Sequence, residues 1–383
     1  PGVLSVWRLE TERFYPKLLL QTWHGTSRKD QFPAERGIML TTYGTLQKDL
    51  ELFADLSFET VLIDEAQTLK NHRSAASRSM RSIQSRTFFC LTGTPLENHP
   101  FEIWSLMDLI LPGLLGTRSS FRTLFGQTLD EDRKDALKRR IAPFILRRTR
   151  DAVLKDLPAR TEQDLRIPMT QRQALAYERA RREAVEALKK AGRDYLMQML
   201  PHLMKLRRIA CHPELGDAKA DPLESGKILS YAEMADELEE TARGILVFSQ
   251  FTDMLDMFGR FLDARHEGRK GTRRPYLRLD GSTTATQRER RVREFQEGDV
   301  PYFLISLRAG GTALTLHRAD TVLHLDPWWN PAVEEQATAR AHRMGQKHPV
   351  FVYRFFSENS VEEKVAKLRS EERRVGKECR SRW

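Results

Sequence analysis

At Val61-Leu62-Ile63-Asp64-Glu65-Ala66-Gln67 an apolar run stops on two adjacent carboxylates. The run reads as a buried strand, and a strand of an open α/β sheet presents its carboxyl end to ligands. Asp64 and Glu65 then stand where one carboxylate can hold Mg²⁺, often through water, while its neighbour orients or deprotonates an attacking water. That arrangement points to ATP chemistry. The same residues also describe a solvated loop after a strand, so the pair has to be weighed with its partners along the chain.

The chain has 383 residues, enough for two domains each with its own core. Its 63 lysines and arginines exceed 53 acids, giving a net charge of +10 and a pI near 9.6. This balance suits a polyanionic partner without requiring one. Cys90, Cys211 and Cys379 are far apart and form no C-x-x-C pair, so neither a zinc site nor a disulfide framework is indicated, and a reducing cytosol fits. The richest apolar stretch, Ile103 to Leu115, is broken by Asp108 and Pro112, so no membrane span and no membrane partner are expected. Beginning at Pro1 with no charged-then-apolar leader, the chain is expected to be an internal piece of a longer, cytoplasmic product.

Short apolar runs at Lys17 to Gln21, Ile38 to Thr41, Val61 to Ile63 and Thr87 to Leu91 alternate with helical patterns, which predicts an α/β fold with a parallel sheet. From Pro112 to about Lys155 the pattern turns helical and basic, with eight lysines and arginines against three acids between Glu131 and Arg150. Such a run is either a solvated helix face or one that contacts phosphate. The polar, proline-punctuated segment 158–169 reads as a linker. The first lobe is thus expected over 1–157, with a helical insertion at about 112–155. Helical signals over 170–240 read as an insertion of a second lobe at 241–367, whose strands are Gly244 to Phe248, Val300 to Leu307 and Thr321 to Leu325. Residues 368–383 have no apolar periodicity and are expected to be unstructured or foreign to the natural protein.

Further motifs share the chemistry. Cys90-Leu91-Thr92-Gly93-Thr94-Pro95 is a strand running into hydroxyl residues and a glycine turn that lets backbone approach a partner loop closely, or an ordinary capped strand-to-helix turn. Leu304-Ile305-Ser306-Leu307-Arg308-Ala309-Gly310-Gly311 is a strand and a Gly-Gly turn whose N–H groups could hold phosphate oxygens, or a plain loop. In Gln336-Ala337-Thr338-Ala339-Arg340-Ala341-His342-Arg343, the two arginines are spaced to share one face of a helix. Two guanidinium groups so placed can grip a triphosphate, or simply lie on the surface.

Taken in order, the D-E-A-Q box, LTGTPLEN, SLRAGG, LDPWWNP and QATARAHRMGQ resemble the sucrose-non-fermenting (Snf) family of superfamily-two ATPases, over about Pro1 to Lys367. The resemblance implies two RecA-like lobes that bind ATP in the cleft between them and move along double-stranded DNA, shifting the duplex against a DNA-bound protein without parting its strands. It implies that Asp64 holds Mg²⁺ and that Glu65 activates water. Gln67 would sense the nucleotide or the opposite lobe, and Thr92, Gly93 and Thr94 would couple hydrolysis to lobe movement. Arg340 and Arg343 match the arginine fingers, with Gln336 beside them. Thr41, Thr42, Tyr43 and Gly44 match a DNA-backbone contact in the first lobe, and Ser306, Arg308 and Gly310 one in the second. Contacts of that kind are salt-dependent and indifferent to sequence. Trp328 and Trp329 belong to another family signature, as bases' stacking partners or as a brace for the final lobe.

The pattern departs from the family in one large respect: the chain contains no G-x-x-x-x-G-K-[ST] phosphate loop, and Ser225-Gly226-Lys227-Ile228 and Gly376-Lys377 fail to supply one. In the family that loop precedes the segment resembled by Pro1 to Glu12, where Trp7 and Glu10 match a W-x-x-E pattern. The chain as given is therefore expected to hydrolyse ATP very poorly, although its parent should be active. Ala313, Thr315 and Ala339 are smaller departures. Two other functions share these features, a non-hydrolysing binding module and a strand-separating helicase.

Overall fold

The computed structural model describes residues 2–26, 28, 36–93, 100–126, 131–148, 157–190, 195–215, 217, 219–267, 275–310 and 314–367. The chain divides into two compact units near residue 150.

The first unit opens with helix α1 (Gly2–Phe14) and strands β1 (Leu20–Thr22) and β2 (Ile38–Leu40), which pair in parallel. Gly37, at φ +142°, is required beside that pair, because a Cβ there would lie 2.4 Å from the Leu19 carbonyl oxygen. Helix α2 (Tyr43–Lys48) starts where the Thr42 hydroxyl accepts from Thr45 N, and α3 (Leu50–Ala54) follows. Strand β3 (Ser57–Ile63), helix α4 (Ala75–Arg81) and strand β4 (Gln84–Cys90) make a second parallel pair, β3 with β4. Among the described residues the two pairs are separate sheets rather than the one sheet the apolar runs suggested. Trp23, Leu46, Phe53, Ile63, Leu69 and Leu106 form the core under them. The Val61–Ile63 run was read as buried throughout; only one face is. Strand side chains alternate, so Ile63 is 2% exposed while Leu62 and its cross-strand partner Phe89 are 57% and 53% exposed. Helices α5 (Pro100–Ile110), α6 (Arg118–Phe125) and α7 (Glu131–Ile141) follow. They gather a separate core of Trp104, Phe121, Phe125, Leu137 and Ile141.

The second unit is a six-stranded parallel sheet in the order β5-β10-β9-β6-β8-β7. Its strands are β5 (Arg160–Ile167), β6 (Ile245–Ser249), β7 (Tyr276–Leu279), β8 (Tyr302–Ser306), β9 (Thr321–His324) and β10 (Val350–Ser357). The inner strands β6, β8 and β9 are buried at every position, as continuous apolar runs of a sheet covered on both faces should be. One face packs against α10 (Gly226–Thr241) and α11 (Thr252–Arg265). Phe295 of α12 (Ala285–Glu297) and Ala337 of α14 (Pro331–Thr338) join the cluster on the other. The hairpin of α8 (Gln171–Lys190) and α9 (Tyr195–Cys211) makes its own cluster from Tyr177, Ala180, Leu206 and Ala210. The helical segment expected as an insertion over 170–240 is thus two things, a hairpin and a sheet-covering helix.

The linker expected over 158–169 is instead an edge strand. β5 pairs with β10 in register from Arg160 opposite Val350 to Ile167 opposite Ser357. Its sequence, RTEQDLRI, lacks apolar alternation because an edge is mostly exposed and is protected from further pairing by charge. Charge also fastens it. Arg354 of β10, 7% exposed at its side chain, reaches Glu162 at 2.8 Å and Asp164 at 3.3 Å, and Arg160 reaches Glu335 at 2.6 Å. Burial alone would raise the Glu162 carboxyl, but Arg354 and Arg160 overcome it and hold the group at about 2. A depressed acid stabilises the fold above its unfolded value and loses that contribution as pH falls through the folded one. The Glu162 contribution should therefore disappear between pH 4.5 and about 2. Denaturant unfolding across that window should show Glu162→Gln less acid-sensitive than the parent chain; identical slopes would contradict the anchoring role.

Candidate active site

Because β3 and β4 are parallel and in register, Ile63 stands opposite Cys90 and the two following loops begin side by side. Backbone bonds join them: Leu91 N donates to Ile63 O at 2.8 Å, and Ala66 N donates to Leu91 O at 3.0 Å. Glu65 consequently takes a left-handed conformation, φ +50° and ψ +47°. A non-glycine residue there carries strain that its surroundings must offset, a condition that recurs at functional positions.

The side chains at this junction form a connected set. Thr92 Oγ1 donates to Gln67 Oε1 at 2.8 Å, and Gln67 Nε2 donates to Glu65 Oε2. Glu65 N donates to Asp64 Oδ1 at 2.9 Å. The Trp7 indole Nε1 donates to Asp64 Oδ2 at 3.0 Å, and the Tyr43 phenol donates to the Asp64 carbonyl at 2.8 Å. Burial, with Cys90, Asp64 and Glu65 nearby, pushes the Tyr43 phenol well above its ordinary range, so it stays a donor. Burial likewise pushes the Cys90 thiol up to about 11, which removes it as a nucleophile. Asp64, Glu65, Gln67 and Thr92, expected to act together, are brought together. Gly93 ends the described part of that loop, and Thr94 lies outside the described residues.

Thr41, Thr42 and Tyr43 are each engaged internally. Thr41 Oγ1 donates to Trp23 O, Thr42 caps α2, and Tyr43 turns to Asp64. Sequence reasoning passed over the residues behind them. Asp49 accepts from the Trp23 indole at 2.9 Å and from Arg28 Nε at 2.6 Å. His24 Nδ1 meets Thr45 Oγ1 at 3.1 Å. No spacing rule marks such a network, which depends on side chains converging from the segment after β1 and from α2 and its C-terminal end.

In the second unit Ser306 ends β8 and is 5% exposed; its hydroxyl accepts from Ala309 N at 3.4 Å in the short helix α13 (Leu307–Gly310). Arg308 and Gly310 are in that helix, and Ala313 lies outside the described residues. The arginines spaced for one helix face are not on a helix. α14 ends at Thr338, and Arg340 and Arg343 lie in the turns beyond it. In those turns Leu316 N donates to Arg340 O at 2.9 Å, and Gln346 Nε2 donates to Ala341 O at 3.2 Å. Gly345, at φ +97°, then turns the chain. Arg343 Nη1 donates to Thr315 Oγ1 at 3.2 Å, while Gln336 remains on α14. Lys227, part of the failed phosphate-loop match, is fully buried and donates to Glu362 at 2.7 Å and to Leu325 O at 2.7 Å. Arg207 holds the loop after β9, donating to Pro327 O and lying 5.0 Å from the ring of Trp329, which is 45% exposed; Trp328 packs on the core.

The SNF2-related domain family matches residues 2–215, more than half of the chain, and the helicase conserved C-terminal domain matches residues 228–345. The chain belongs to the Snf2 family of superfamily-two ATP-dependent helicases. Among its Snf2 relatives, a putative ATP-dependent helicase/translocase of Bacillus subtilis is 33% identical over 95% of this chain. An uncharacterized ATP-dependent helicase of Mycoplasma genitalium is 31% identical over 98%. The human SWI/SNF-related matrix-associated actin-dependent regulator of chromatin subfamily A member 1 is 31% identical over 95%. The chain spans 41%, 36% and 36% of the lengths of these three. A solved SWI2/SNF2 ATPase core of Sulfolobus solfataricus in complex with dsDNA is 30% identical, covering 98% of this chain and 79% of its own, with a TM-score of 0.49.

In this Snf2 chain the Tyr43 hydroxyl is committed to Asp64 O. Tyr43→Phe should therefore cost about 1 kcal/mol of stability, the usual net worth of such a bond, in denaturant unfolding. Unaltered stability would contradict that assignment.

Proposed function

We propose that the protein containing this chain is an ATP-driven translocase on double-stranded DNA that remodels or displaces DNA-bound protein. The observation that carries this reading is the Thr92–Gln67–Glu65 hydrogen-bond chain, which ties a carboxylate placed to act on water to a second loop. A change in the bonding of Glu65 on hydrolysis is transmitted to Thr92, which is what a motor needs and a static binding module does not.

Mg²⁺ fits the donor set. It takes oxygen ligands, keeps several waters, and is ordinarily held by one or two carboxylates plus substrate phosphates. Asp64 and Glu65 offer that, and no cluster of three or more His, Cys, Asp or Glu side chains that could form an all-protein cage exists among the described residues. Asp64 would hold the ion, which when bound neutralises phosphate charge. Glu65, aimed by Gln67, accepts the proton of the attacking water. Arg340 and Arg343, with Gln336, serve as cationic and polar partners of the nucleotide's phosphates. Thr41, Thr42 and Tyr43 mark the backbone segment offered to DNA phosphates in the first unit, and Ser306, Arg308 and Gly310 that in the second. The relatives' names, helicase/translocase and chromatin regulator, support a DNA-directed motor acting in the cytoplasm or nucleoid, or in a nucleus. No described helix is long and apolar enough to cross a membrane.

The test is ATP turnover by the whole protein with and without duplex DNA. Duplex should stimulate turnover, and Glu65→Gln should lower kcat by about 10² to 10⁴, the range for loss of a general base, with nucleotide still bound. Displacement of a triplex-forming strand without unwinding of the duplex would support translocation. Duplex unwinding would indicate a strand-separating helicase, and DNA binding without turnover would indicate a binding module.

A further inference from the structure

Three donors from three stretches of chain converge on Asp64: the Trp7 indole on Oδ2, the Glu65 amide on Oδ1 and the Tyr43 phenol on the carbonyl. Two of them have evident local causes, since Glu65 is the next residue and Tyr43 opens the helix packed beside β3. Trp7 does not. It comes from α1, is only half-buried, and joins none of the apolar clusters that the described residues of the first unit form. Its one polar atom is nonetheless directed at the carboxylate that ends β3. The Thr11 hydroxyl, one helical turn on, donates to Trp7 O at 2.7 Å and Thr11 is 7% exposed, which fixes that turn of α1.

The terminal bond of an aspartate turns easily, because a torsion onto a planar carboxylate is broad. One donor on Oδ1 fixes a single corner of the group. A second on Oδ2 fixes its plane, and each oxygen keeps a lone pair for an ion or its water. Indole N–H is a donor only and holds no exchangeable charge, so it can neither ligate the ion itself nor protonate the carboxylate.

We propose that Trp7 is a positioning residue for divalent-cation binding at Asp64, setting the plane of the carboxylate before the ion arrives. This rests on the reading of Asp64 as the cation ligand. Groups that orient a ligating carboxylate are worth about 10- to 100-fold in metal affinity, and Trp7→Phe, which keeps the ring and removes the N–H, should fall at the lower end of that range.

Mn²⁺ is a suitable probe, because the paramagnetic-resonance signal of the free ion reports binding without turnover. The whole protein should show a saturable site that Asp64→Asn abolishes and that Trp7→Phe weakens about tenfold. Unaltered affinity in Trp7→Phe, with binding lost in Asp64→Asn, overturns the positioning role and leaves Asp64 as the ligand. The absence of any Asp64-dependent site overturns both. A second readout needs no change at Trp7: its indole ¹⁵N–¹H resonance should move during a Mg²⁺ titration with the midpoint of cation binding. A resonance indifferent to Mg²⁺ overturns the proposal even where Trp7→Phe fails to fold.

Discussion

The candidate site depends on the in-register parallel pairing of β3 with β4. That pairing sets Ile63 beside Cys90 and lets Leu91 donate to the Ile63 carbonyl and accept from the Ala66 amide across the gap. A slip of one residue would turn Ile63 out of the core and carry Thr92 away from Gln67. The left-handed backbone at Glu65 follows from the same constraint, because the chain must turn sharply enough for Ala66 to reach the neighbouring loop. Such strain costs about 1–3 kcal/mol, and the bonds around Glu65 offset it. Its consequence is useful: both carboxylates leave the strand end together, each with a different set of partners.

The second unit applies the same principle of strand ends with its charges used differently. Asp326, just past β9, is fully buried and accepts from Ser249 at 2.5 Å and from Gln250 N at 3.2 Å, so the ends of β6 and β9 are tied through one carboxylate. Lys227 and Glu362 make a fully buried pair that fastens the segment after β10 to the end of β9. These charges are saturated and inaccessible, and their role is to fix loop positions. Asp64 and Glu65 are only partly buried and keep free lone pairs, which is what separates a site that can do chemistry from one that holds shape.

Much of this was legible in the sequence wherever burial imposed a pattern. The inner strands β6, β8 and β9 are continuous apolar runs, and the residues that end β3 and β4 are marked by an abrupt change from apolar to polar. The edge strand β5 was illegible because exposure removes the alternation that identifies a strand, and its pairing depends on Arg354, far away in sequence. Spacing gave the wrong surroundings for Arg340 and Arg343, since the helix ends at Thr338 and the turns beyond it bond to Leu316, far away in sequence. Tyr43 stands in a segment whose motif implies a contact with the DNA backbone, and the bond of its hydroxyl to Asp64 could not be read from that motif. Trp7 was visible as part of a pattern, but its hydrogen bond joins residues 57 positions apart and could not be read from either neighbourhood.

The claim on which the account turns is that Glu65, Gln67 and Thr92 work as one hydrogen-bonded unit. A double-mutant cycle of Gln67→Ala and Thr92→Val, read in the proposed DNA-stimulated ATP turnover of the whole protein, measures this directly. The account predicts strong non-additivity, the double variant being no slower than the worse single one, as for groups that act through each other. Effects that simply multiply would show that the two side chains act independently, and would contradict it.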